Sequence, residues 1–360
     1  MMRVQRVALG ERSYSIFIER GLMNYVGKSI VDSFAPTSIC VVTDSNIAPL
    51  YLEDLEKSLK DTGVAVSSFI IEAGEVSKNI QTLESLCDFL IQHHMDRNSF
   101  LVALGGGVVG DITGFAASIY KRGIGYVQIP TSVVAQTDSS VGGKTAVDFC
   151  GVKNTLGTVY QPKAVYIDPD VLQTLPKRFL CDGLGEVVKY ALLSGGCLYK
   201  SVLNLQSPED FLSDDGSILE ACVVYKKQLV EQDERDTGLR MLLNLGHTLG
   251  HAIESYYDYG KYTHGEAVSI GLIEIMDYAI RYHGFKPDDR EEVLSLLKRL
   301  NLPYCVSGDR AQIFSAIMQD KKCKGATLRI ALPYAPGDVR VSEVDTNLFM
   351  ERILHTGGHL

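Results

Sequence analysis

A run of polar side chains in the second half of the sequence has residue types and a spacing that suit metal chemistry. Arg240, Asn244, His247, His251 and Glu254 lie at offsets of 0, 4, 7, 11 and 14 residues. At about 100° per residue they would form one helical stripe roughly 80° wide. Leucine and isoleucine occupy the other sides, which indicates a largely buried helix. A buried polar stripe needs partners, and a metal ion with an anionic ligand would supply them.

Two neighbouring motifs could add further ligands. His264, in YTHGEA, would stand at the start of the following helix, and Glu186 and Lys189 are one helical turn apart in GLGEVVKY. Two histidines and one carboxylate with an open position suit catalytic Zn²⁺ or a similar divalent ion. The motif HTLGH is not H-E-x-x-H, which argues against a metalloprotease. The remaining histidines are interpreted as ordinary surface or core residues: His93, His94, His283, His355 and His359.

A glycine-rich stretch in the first half predicts a nucleotide site. The apolar run from Phe100 to Leu104 predicts a buried strand, and Gly105, Gly107 and Gly110 then fit G-x-G-x-x-G at the start of a helix. Such glycines would let the backbone approach a pyrophosphate, which the amides of a helix N-terminus stabilise.

The acid that usually follows this motif is missing from its expected place. A dinucleotide site has an acid about 20 residues after the glycines, at the end of the next strand. Here that strand ends at Pro130-Thr131, whereas an earlier strand ends at Asp44. Asp44 would therefore either contact a ribose or simply cap the helix that starts near Ile47.

Polar residues follow the glycine loop and could bind an anion. GGKT at 142–145 is not a phosphate P-loop, because Asp138 occupies the position of the first required glycine. Lysines are effective point-charge partners for phosphate or carboxylate. The segment is either a solvated loop or part of a site, and its polar members are Asp138, Ser139, Lys144, Lys153 and Asn154.

The elements around these motifs change character near Leu175–Pro176. Strands alternate with helices in residues 1–176, which predicts an α/β domain with a mainly parallel, Rossmann-like sheet. Residues 177–360 predict a largely α-helical domain. Its expected elements are helices at Leu219–Asp233, Leu239–Tyr257, Ala267–His283 and Arg290–Leu300, and a short strand at Leu328–Leu332.

Composition and net charge limit the kinds of partner that the protein is expected to bind. The net charge of −9 over 360 residues argues against nucleic acid, and no apolar stretch is long enough for a membrane span. The eight cysteines are scattered without a C-x-x-C pair, and Met1 to Gly10 is not a signal peptide. We expect a cytoplasmic protein that acts on a small molecule.

Several long motifs together resemble a known family. LGGGVVGD, PTSVVAQTDSSVGGKTAVD, GVKN, GLGEVVKY, LNLGHTLGHAIE and HGEAV are similar to those of 3-dehydroquinate synthase, a sugar phosphate cyclase. The resemblance covers nearly the whole chain. It implies a lyase of the shikimate pathway, which leads to chorismate and the aromatic amino acids, and a fold shared with glycerol dehydrogenases. It also implies a homodimer.

The reaction that the resemblance implies uses NAD catalytically. The enzyme would convert 3-deoxy-D-arabino-heptulosonate 7-phosphate to 3-dehydroquinate and phosphate. Transient oxidation by NAD, β-elimination of phosphate, reduction by the same NADH and an intramolecular aldol closure would follow one another. Three alternatives stay open: another sugar phosphate cyclase, a metal-dependent polyol dehydrogenase, or a non-enzymatic protein that binds NAD or a metal.

The resemblance also implies a role for individual residues. Glu186, His247 and His264 would bind Zn²⁺ or Co²⁺. NAD would be bound by Asp44, Glu75, Lys78, Gly107, Val108, Val109, Gly110, Asp111, Thr131, Ser132, Lys144, Lys153 and Thr174. The substrate would contact Asp138, Lys144, Lys153, Asn154, Lys189, Lys226, Arg240, Asn244, His251 and Lys321. Catalytic roles would fall to Lys144, Lys189, Arg240, Asn244, His251 and Asp236, the last of which stands in DERDTG where the family commonly has glutamate.

Overall fold

The computed structural model describes residues 2–258, 260–315 and 327–356 of the chain. Contacts divide it into two compact units, Met1–Leu175 and Pro176–Leu360. Within the described residues, no helix has the length and apolar character needed to cross a membrane. Lys321 and His359 lie outside the described residues.

The first unit is built on a mainly parallel sheet. Its strands are β1 (Arg3–Val7), β2 (Tyr14–Ile18), β3 (Ser38–Asp44), β4 (Ala65–Ile71), β5 (Phe100–Gly105), β6 (Gly125–Pro130), β7 (Lys144–Phe149), β8 (Val152–Val159) and β9 (Ala164–Ile167). Seven of these described strands form one sheet in the order β1-β2-β9-β6-β5-β3-β4. Only β1 and β2 pair antiparallel in it.

Helices cover both faces of this sheet. They are α1 (Val26–Phe34), α2 (Glu53–Lys60), α3 (Ile80–Gln92) and α4 (Gly107–Ile119). Successive residues of a strand point to opposite faces. Val41 of β3 accordingly shares a core with Leu55 of α2, whereas Cys40 shares the opposite core with Leu86 of α3 and Ile112 of α4. The continuous apolar runs of β3 and β5 are therefore buried from both sides, as parallel strands require.

The strand order places the ends of β3 and β5 side by side. The connection after β3 leads to β4 on one side, and the connection after β5 leads to β6 on the other. In open α/β sheets, ligands bind at such a switch point, beyond the carboxyl ends of the strands. Asp44 ends β3 and the glycine loop follows β5, so the acid from the earlier strand lies at the same edge as the glycines.

The second unit is largely helical. It contains α5 (Lys177–Ser194), α6 (Gly196–Leu203), α7 (Pro208–Ser213), α8 (Ser217–Gln232), α9 (His247–Tyr256), α10 (His264–His283), α11 (Pro287–Arg299), α12 (Arg310–Ser315) and α13 (Thr346–Thr356). Strands β10 (Thr327–Ala335) and β11 (Asp338–Asp345) pair as an antiparallel hairpin. The fold class predicted from the sequence, an α/β domain followed by a mostly helical one, is confirmed.

The single helix predicted over Leu239–Tyr257 is wrong. A 3₁₀ segment, Leu239–Asn244, ends before α9 begins at His247. Gly246 separates them with φ +78°, a left-handed conformation that interrupts a right-handed helix. Its carbonyl also lies against α10, since a Cβ on Gly271 would stand 2.1 Å from it. Arg240 and Asn244 therefore do not share a helical face with the three polar residues of α9.

Candidate active site

Three helices of the second unit bring together one carboxylate and two imidazoles. Glu186 lies on α5, while His247 and His264 are the first residues of α9 and α10. The Oε1 atom of Glu186 is 3.4 Å from Nε2 of His247 and 3.4 Å from Nε2 of His264. One ligand atom from each residue lies within 4.8 Å of the other two. The two histidines meet because α9 and α10 start beside each other, where Gly250 approaches the backbone of Ala267.

Glu186 is fully buried and lies beside a positive charge. The ammonium of Lys189, one turn further along α5, makes an ion pair with its Oε2 atom. Burial would raise the pKa of Glu186, but Lys189, His247 and His264 lower it well below its usual range. Among the described residues, neither carboxylate oxygen makes a well-directed hydrogen bond. Such a group is costly to bury unless a cation compensates it.

The two imidazoles beside Glu186 differ in protonation. Burial lowers the pKa of His247, and Lys189 acts in the same direction against the attraction of Glu186. Burial would also lower the pKa of His264, but its close contacts with the carboxylates of Glu186 and Glu254 raise it. Lys189 and a protonated His264 would together balance the carboxylates of Glu186 and Glu254, and a bound divalent cation would compensate the same carboxylates. A carboxylate and two imidazole nitrogens are a donor set that fits Zn²⁺ or a similar ion.

His251 stands next to this cluster. Its ring centroid is 5.4 Å from that of His247 and 5.8 Å from that of His264, and the residue is exposed. His251 and His247 are one turn apart on α9, so both rings lie on the same side of that helix. The histidine that faces Glu186 is thus accompanied by one that faces solvent.

Three buried cations lie on elements that pack together. Lys189 on α5 is 1% exposed, Lys226 on α8 is 5% exposed and Arg240 in the 239–244 segment is 3% exposed. The 239–244 segment contacts both α5 and α8, which also contact each other. The Nη1 atom of Arg240 donates to the carbonyl of Glu234 at 2.8 Å.

The loop before Arg240 is organised by one aspartate. The carboxylate of Asp233 accepts hydrogen bonds from the amides of Thr237 at 3.0 Å, Gly238 at 2.7 Å and Arg240 at 3.1 Å. Partial burial would raise the pKa of Asp233, but these amides lower it to about 2. Asp236 lies within this loop with φ +58°, and Asn244 ends the segment half-buried.

In the first unit the glycine loop joins β5 to α4. Gly106 is the N-cap of α4 and has no side chain to accept the first amides of the helix. A Cβ on Gly110 would stand 2.7 Å from Oε1 of Gln128 on β6, so this glycine allows α4 to pack closely on the sheet. The amide of Thr131 donates to the carbonyl of Gly105 at 3.0 Å. The first turn of α4 contains the predicted cofactor residues Gly107, Val108, Val109 and Gly110, and the predicted cofactor residue Asp111 follows it.

Lys78 connects three segments beside this loop. Its Nζ atom is 2.6 Å from Oδ2 of Asp111 on α4 and donates to Oδ1 of Asn154 on β8 at 2.6 Å. Burial would lower the pKa of Lys78, but Asp111 and Glu75 raise it above its usual value. Lys153 lies 3.9 Å from Glu75. Four of the predicted cofactor residues and Asn154 are thus one cluster.

The structure places the other predicted residues of this unit at separate points. Oδ1 of Asp44 accepts the amides of Asn46 at 2.9 Å and Ile47 at 3.0 Å, so this acid does cap the following turn. Ser132 accepts the amide of Ala135 at 3.2 Å. Thr174 makes a 2.6 Å hydrogen bond with the hydroxyl of Tyr51.

The polar segment after the glycine loop is not a plain solvated loop. Lys144 begins β7, which pairs antiparallel with β8, and this hairpin packs on α4, where a Cβ on Gly114 would meet Thr145 at 2.4 Å. Lys144 itself is exposed, and Asp138 is half-buried in the turn that precedes the hairpin.

Two carboxylates near the cluster were not predicted as site residues. Asp182 lies one turn before Glu186 on α5, and Oε2 of Glu254 lies 3.4 Å from Nδ1 of His264. Glu254 belonged to the predicted polar stripe, but its spacing alone did not indicate which histidine it faces. For Asp182, its position four residues before Glu186 was the one available signal.

Comparisons with known proteins cover most of the chain. A family model described as 3-dehydroquinate synthase N-terminal matches residues 68–182, and one described as 3-dehydroquinate synthase C-terminal matches residues 183–323. A 3-dehydroquinate synthase from Clostridium acetobutylicum is 43% identical over 346 residues, which is 96% of this chain and 97% of that protein.

Solved structures show the same architecture. The 2-epi-5-epi-valiolone synthase from Streptomyces hygroscopicus subsp. jinggangensis 5008, with NAD⁺ and Zn²⁺ bound, has a TM-score of 0.86 at 28% identity and covers 98% of each chain. A 2-deoxy-scyllo-inosose synthase complexed with carbaglucose-6-phosphate, NAD⁺ and Co²⁺ has a TM-score of 0.86 at 24% identity, over 98% of this chain and 100% of that one.

The matches decide between the interpretations left open by the sequence. The 43% identical relative carries the 3-dehydroquinate synthase name, while the solved cyclases of other substrates are more distant. Neither another cyclase nor a polyol dehydrogenase is favoured, and the resemblance seen in the motifs is confirmed. The chain belongs to the 3-dehydroquinate synthase family.

Proposed function

We propose that this chain carries out the 3-dehydroquinate synthase reaction with a divalent metal ion on Glu186, His247 and His264 and with NAD at the glycine loop. The chain is an enzyme with the activity of its family. The cofactors and the role of each residue are the proposal. The observation that carries it is the buried carboxylate of Glu186, which faces two imidazoles without a well-directed hydrogen bond.

The metal site is supported by its donor set and by two proteins of similar fold. When bound, a divalent ion supplies Lewis-acid stabilisation of negative charge on a substrate hydroxyl. The related valiolone synthase with bound Zn²⁺ supports zinc, and the inosose synthase with Co²⁺ supports cobalt as a substitute. Glu186 would bind the ion from α5, His247 from α9 and His264 from α10.

The NAD site is supported by the switch point of the sheet. When bound, NAD would supply reversible hydride transfer at C5 of the substrate. The uncapped first amides of α4 would hold the pyrophosphate. The ribose contact of Asp44 and the contacts of Thr131, Ser132 and Thr174 remain predictions, as do those of the Lys78 cluster, whose members are Glu75, Lys78, Asp111, Lys153 and Asn154.

The substrate carries a carboxylate and a phosphate, and the buried cations of the second unit suit both. Lys189, Lys226 and Arg240 would bind these anionic groups and stabilise charge that develops during elimination. The exposed imidazole of His251 would relay the hydroxyl proton. The remaining proposed substrate contacts are Asp138, Lys144, Lys153, Asn154, Asn244 and Lys321, and the catalytic role of Asp236 remains a prediction.

The test measures how much phosphate and how much net NADH the reaction produces. Purified protein with 3-deoxy-D-arabino-heptulosonate 7-phosphate and catalytic NAD should release one phosphate for each 3-dehydroquinate, with no net NADH. A chelator should stop the reaction, and Zn²⁺ or Co²⁺ should restore it. Accumulation of NADH on a simple polyol without phosphate release would overturn the proposal, as would turnover of glucose 6-phosphate in preference to the heptulosonate.

The homodimer implied by the resemblance also remains a proposal. Sedimentation equilibrium would support it by giving twice the chain mass, and a monomer mass would overturn it.

A further inference from the structure

The start of α10, which carries His264, is held from outside its own helix. Oδ1 of Asp182 on α5 accepts the amides of Gly265 at 2.6 Å and Glu266 at 3.3 Å. These are first-turn amides of α10, which have no partner within the helix. Asp182 lies one turn before Glu186, so one helix carries both a proposed ligand and the anchor of the helix that carries another.

Glycines allow the two backbones to touch at this point. A Cβ on Gly265 would stand 1.8 Å from the carbonyl of Asp182, and a Cβ on Gly185 would stand 2.4 Å from the carbonyl of Gly265. Gly185 precedes Glu186, and Gly265 follows His264. The separation of the two proposed ligands is therefore set by direct backbone contact between α5 and α10.

Asp182 is not needed to start the helix. Glu266 already accepts the amide of Thr263 at 2.9 Å, which caps α10 locally. The contact from Asp182 adds the position of the helix start relative to α5, which local capping does not determine.

The imidazole of His264 is held from its other side by Glu254. Oε2 of Glu254 lies 3.4 Å from Nδ1, while Nε2 faces Glu186 at 3.4 Å. Glu254 is 4% exposed on α9, whereas the side chain of His264 is 36% exposed. A carboxylate on the second ring nitrogen fixes the orientation and tautomer of a metal-binding histidine.

We infer that Asp182 and Glu254 are positioning residues for His264: Asp182 places its backbone, and Glu254 orients its ring. The inference rests on the proposed metal site. It adds two residues outside the ligand set. Their loss should lower the affinity for the metal ion and change the ligand geometry while the fold stays intact.

Co²⁺ serves as the probe, because its visible absorption reports ligand geometry. The full-length chain is titrated with Co²⁺ in competition with a chromophoric chelator, and the visible spectrum is recorded. Asp182→Ala and Glu254→Ala should each weaken Co²⁺ affinity by about 10–100-fold and change the spectrum. Asp182→Asn and Glu254→Gln keep an accepting oxygen and should restore most of the affinity.

A matched control separates positioning from general stability. Asp345 caps α13 by accepting the amide of Leu348 at 2.8 Å, and α13 packs on the far end of α10 through Phe349 and Tyr278. Asp345→Ala should lower the melting temperature without changing Co²⁺ affinity. If Asp182→Ala does not fold, Asp182→Glu replaces it, since one added methylene should displace His264 and alter the spectrum.

The outcomes separate this inference from the metal site itself. Wild-type affinity and spectrum in folded Asp182 and Glu254 variants would overturn the positioning roles alone. Failure of the wild-type chain to bind Co²⁺, or unchanged binding in Glu186→Gln, would overturn the metal site and the positioning roles with it.

Discussion

Lys78 in the first unit and Glu186 in the second are both buried ionised groups, but their surroundings differ. The ammonium of Lys78 lies 2.6 Å from Asp111 and donates to Asn154 at 2.6 Å. The carboxylate of Glu186 has an ion pair with Lys189, yet within the described part of the chain both of its oxygens lack a well-directed hydrogen bond. Lys78 thus has close protein partners for its charge, whereas Glu186 has an ion pair at one oxygen and faces two imidazoles with the other, an arrangement that suits a metal ion.

The difference predicts different responses to mutation. Lys78 joins the 75–77 turn, α4 and β8, so its loss should lower both the stability of the unit and the affinity for NAD. Within the described residues, Glu186 faces the neighbouring helices α9 and α10 through His247 and His264 rather than through hydrogen bonds. Its loss should act mainly on the metal.

The largest effect is expected for Glu186→Gln. Loss of a charged ligand should weaken zinc binding by more than the about 10–100-fold typical of residues outside the ligand set, and product formation should cease. Metal content after dialysis, measured by atomic emission, gives the direct readout. One zinc per chain in this variant would remove Glu186 from the ligand set.

Glu274→Gln is the matched control for that experiment. Glu274 is also a buried glutamate beside a cation, since it pairs with Arg310 at 2.7 Å. Its replacement should reduce stability but leave zinc content unchanged. Equal zinc loss in both variants would mean that destabilisation, rather than ligand loss, explains the result.

A smaller and different effect is expected for Lys78→Met. Removing one member of a mostly buried ion pair leaves Asp111 uncompensated and should cost about 3 kcal/mol of unfolding free energy. NAD binding, measured by calorimetry, should weaken, while zinc content should not change. Lys60→Met, which removes an exposed pair with Glu56, should cost less than about 1 kcal/mol and leave NAD binding intact. Normal NAD affinity in Lys78→Met would mean that this cluster does not contribute to cofactor binding.

Periodicity in the sequence was sufficient to predict the fold class, but it did not predict the helix break at Gly246 or the β7–β8 hairpin. The buried runs of β3 and β5 predicted parallel strands, because apolar residues on both faces require cover on both sides. The break at Gly246 was missed, since it depends on a positive φ and on close packing against Gly271 of α10. The β7–β8 hairpin was missed for a related reason: its polar residues follow two glycines and suggested a loop.

The site was predictable in composition but less so in geometry. Spacing brought His247, His251 and Glu254 to one side of a helix, but only packing decides that His247 faces Glu186 while His251 is exposed. The resemblance, rather than the spacing, separated these two histidines. Asp44 and the glycine loop lie at the same edge because β3 and β5 are neighbours in the sheet. Sequence alone does not give this strand order.

The smallest effect is expected for a mutation of Asp233. This ionised group is only partly buried, whereas Lys78 and Glu186 are buried. Three backbone amides satisfy its carboxylate and lower its pKa from 3.8 to about 2. The folded chain therefore binds fewer protons than the unfolded chain between these values. The stabilisation should be fully present above pH 4 and should be lost as the pH falls toward 2. Because the group is partly solvated, we expect a contribution of about 1 kcal/mol. Urea unfolding followed by circular dichroism should show that wild type exceeds Asp233→Asn by more at pH 6 than at pH 3.5. A difference that is constant, or that grows toward acid, would mean that the charge of Asp233 does not stabilise the loop that carries Arg240.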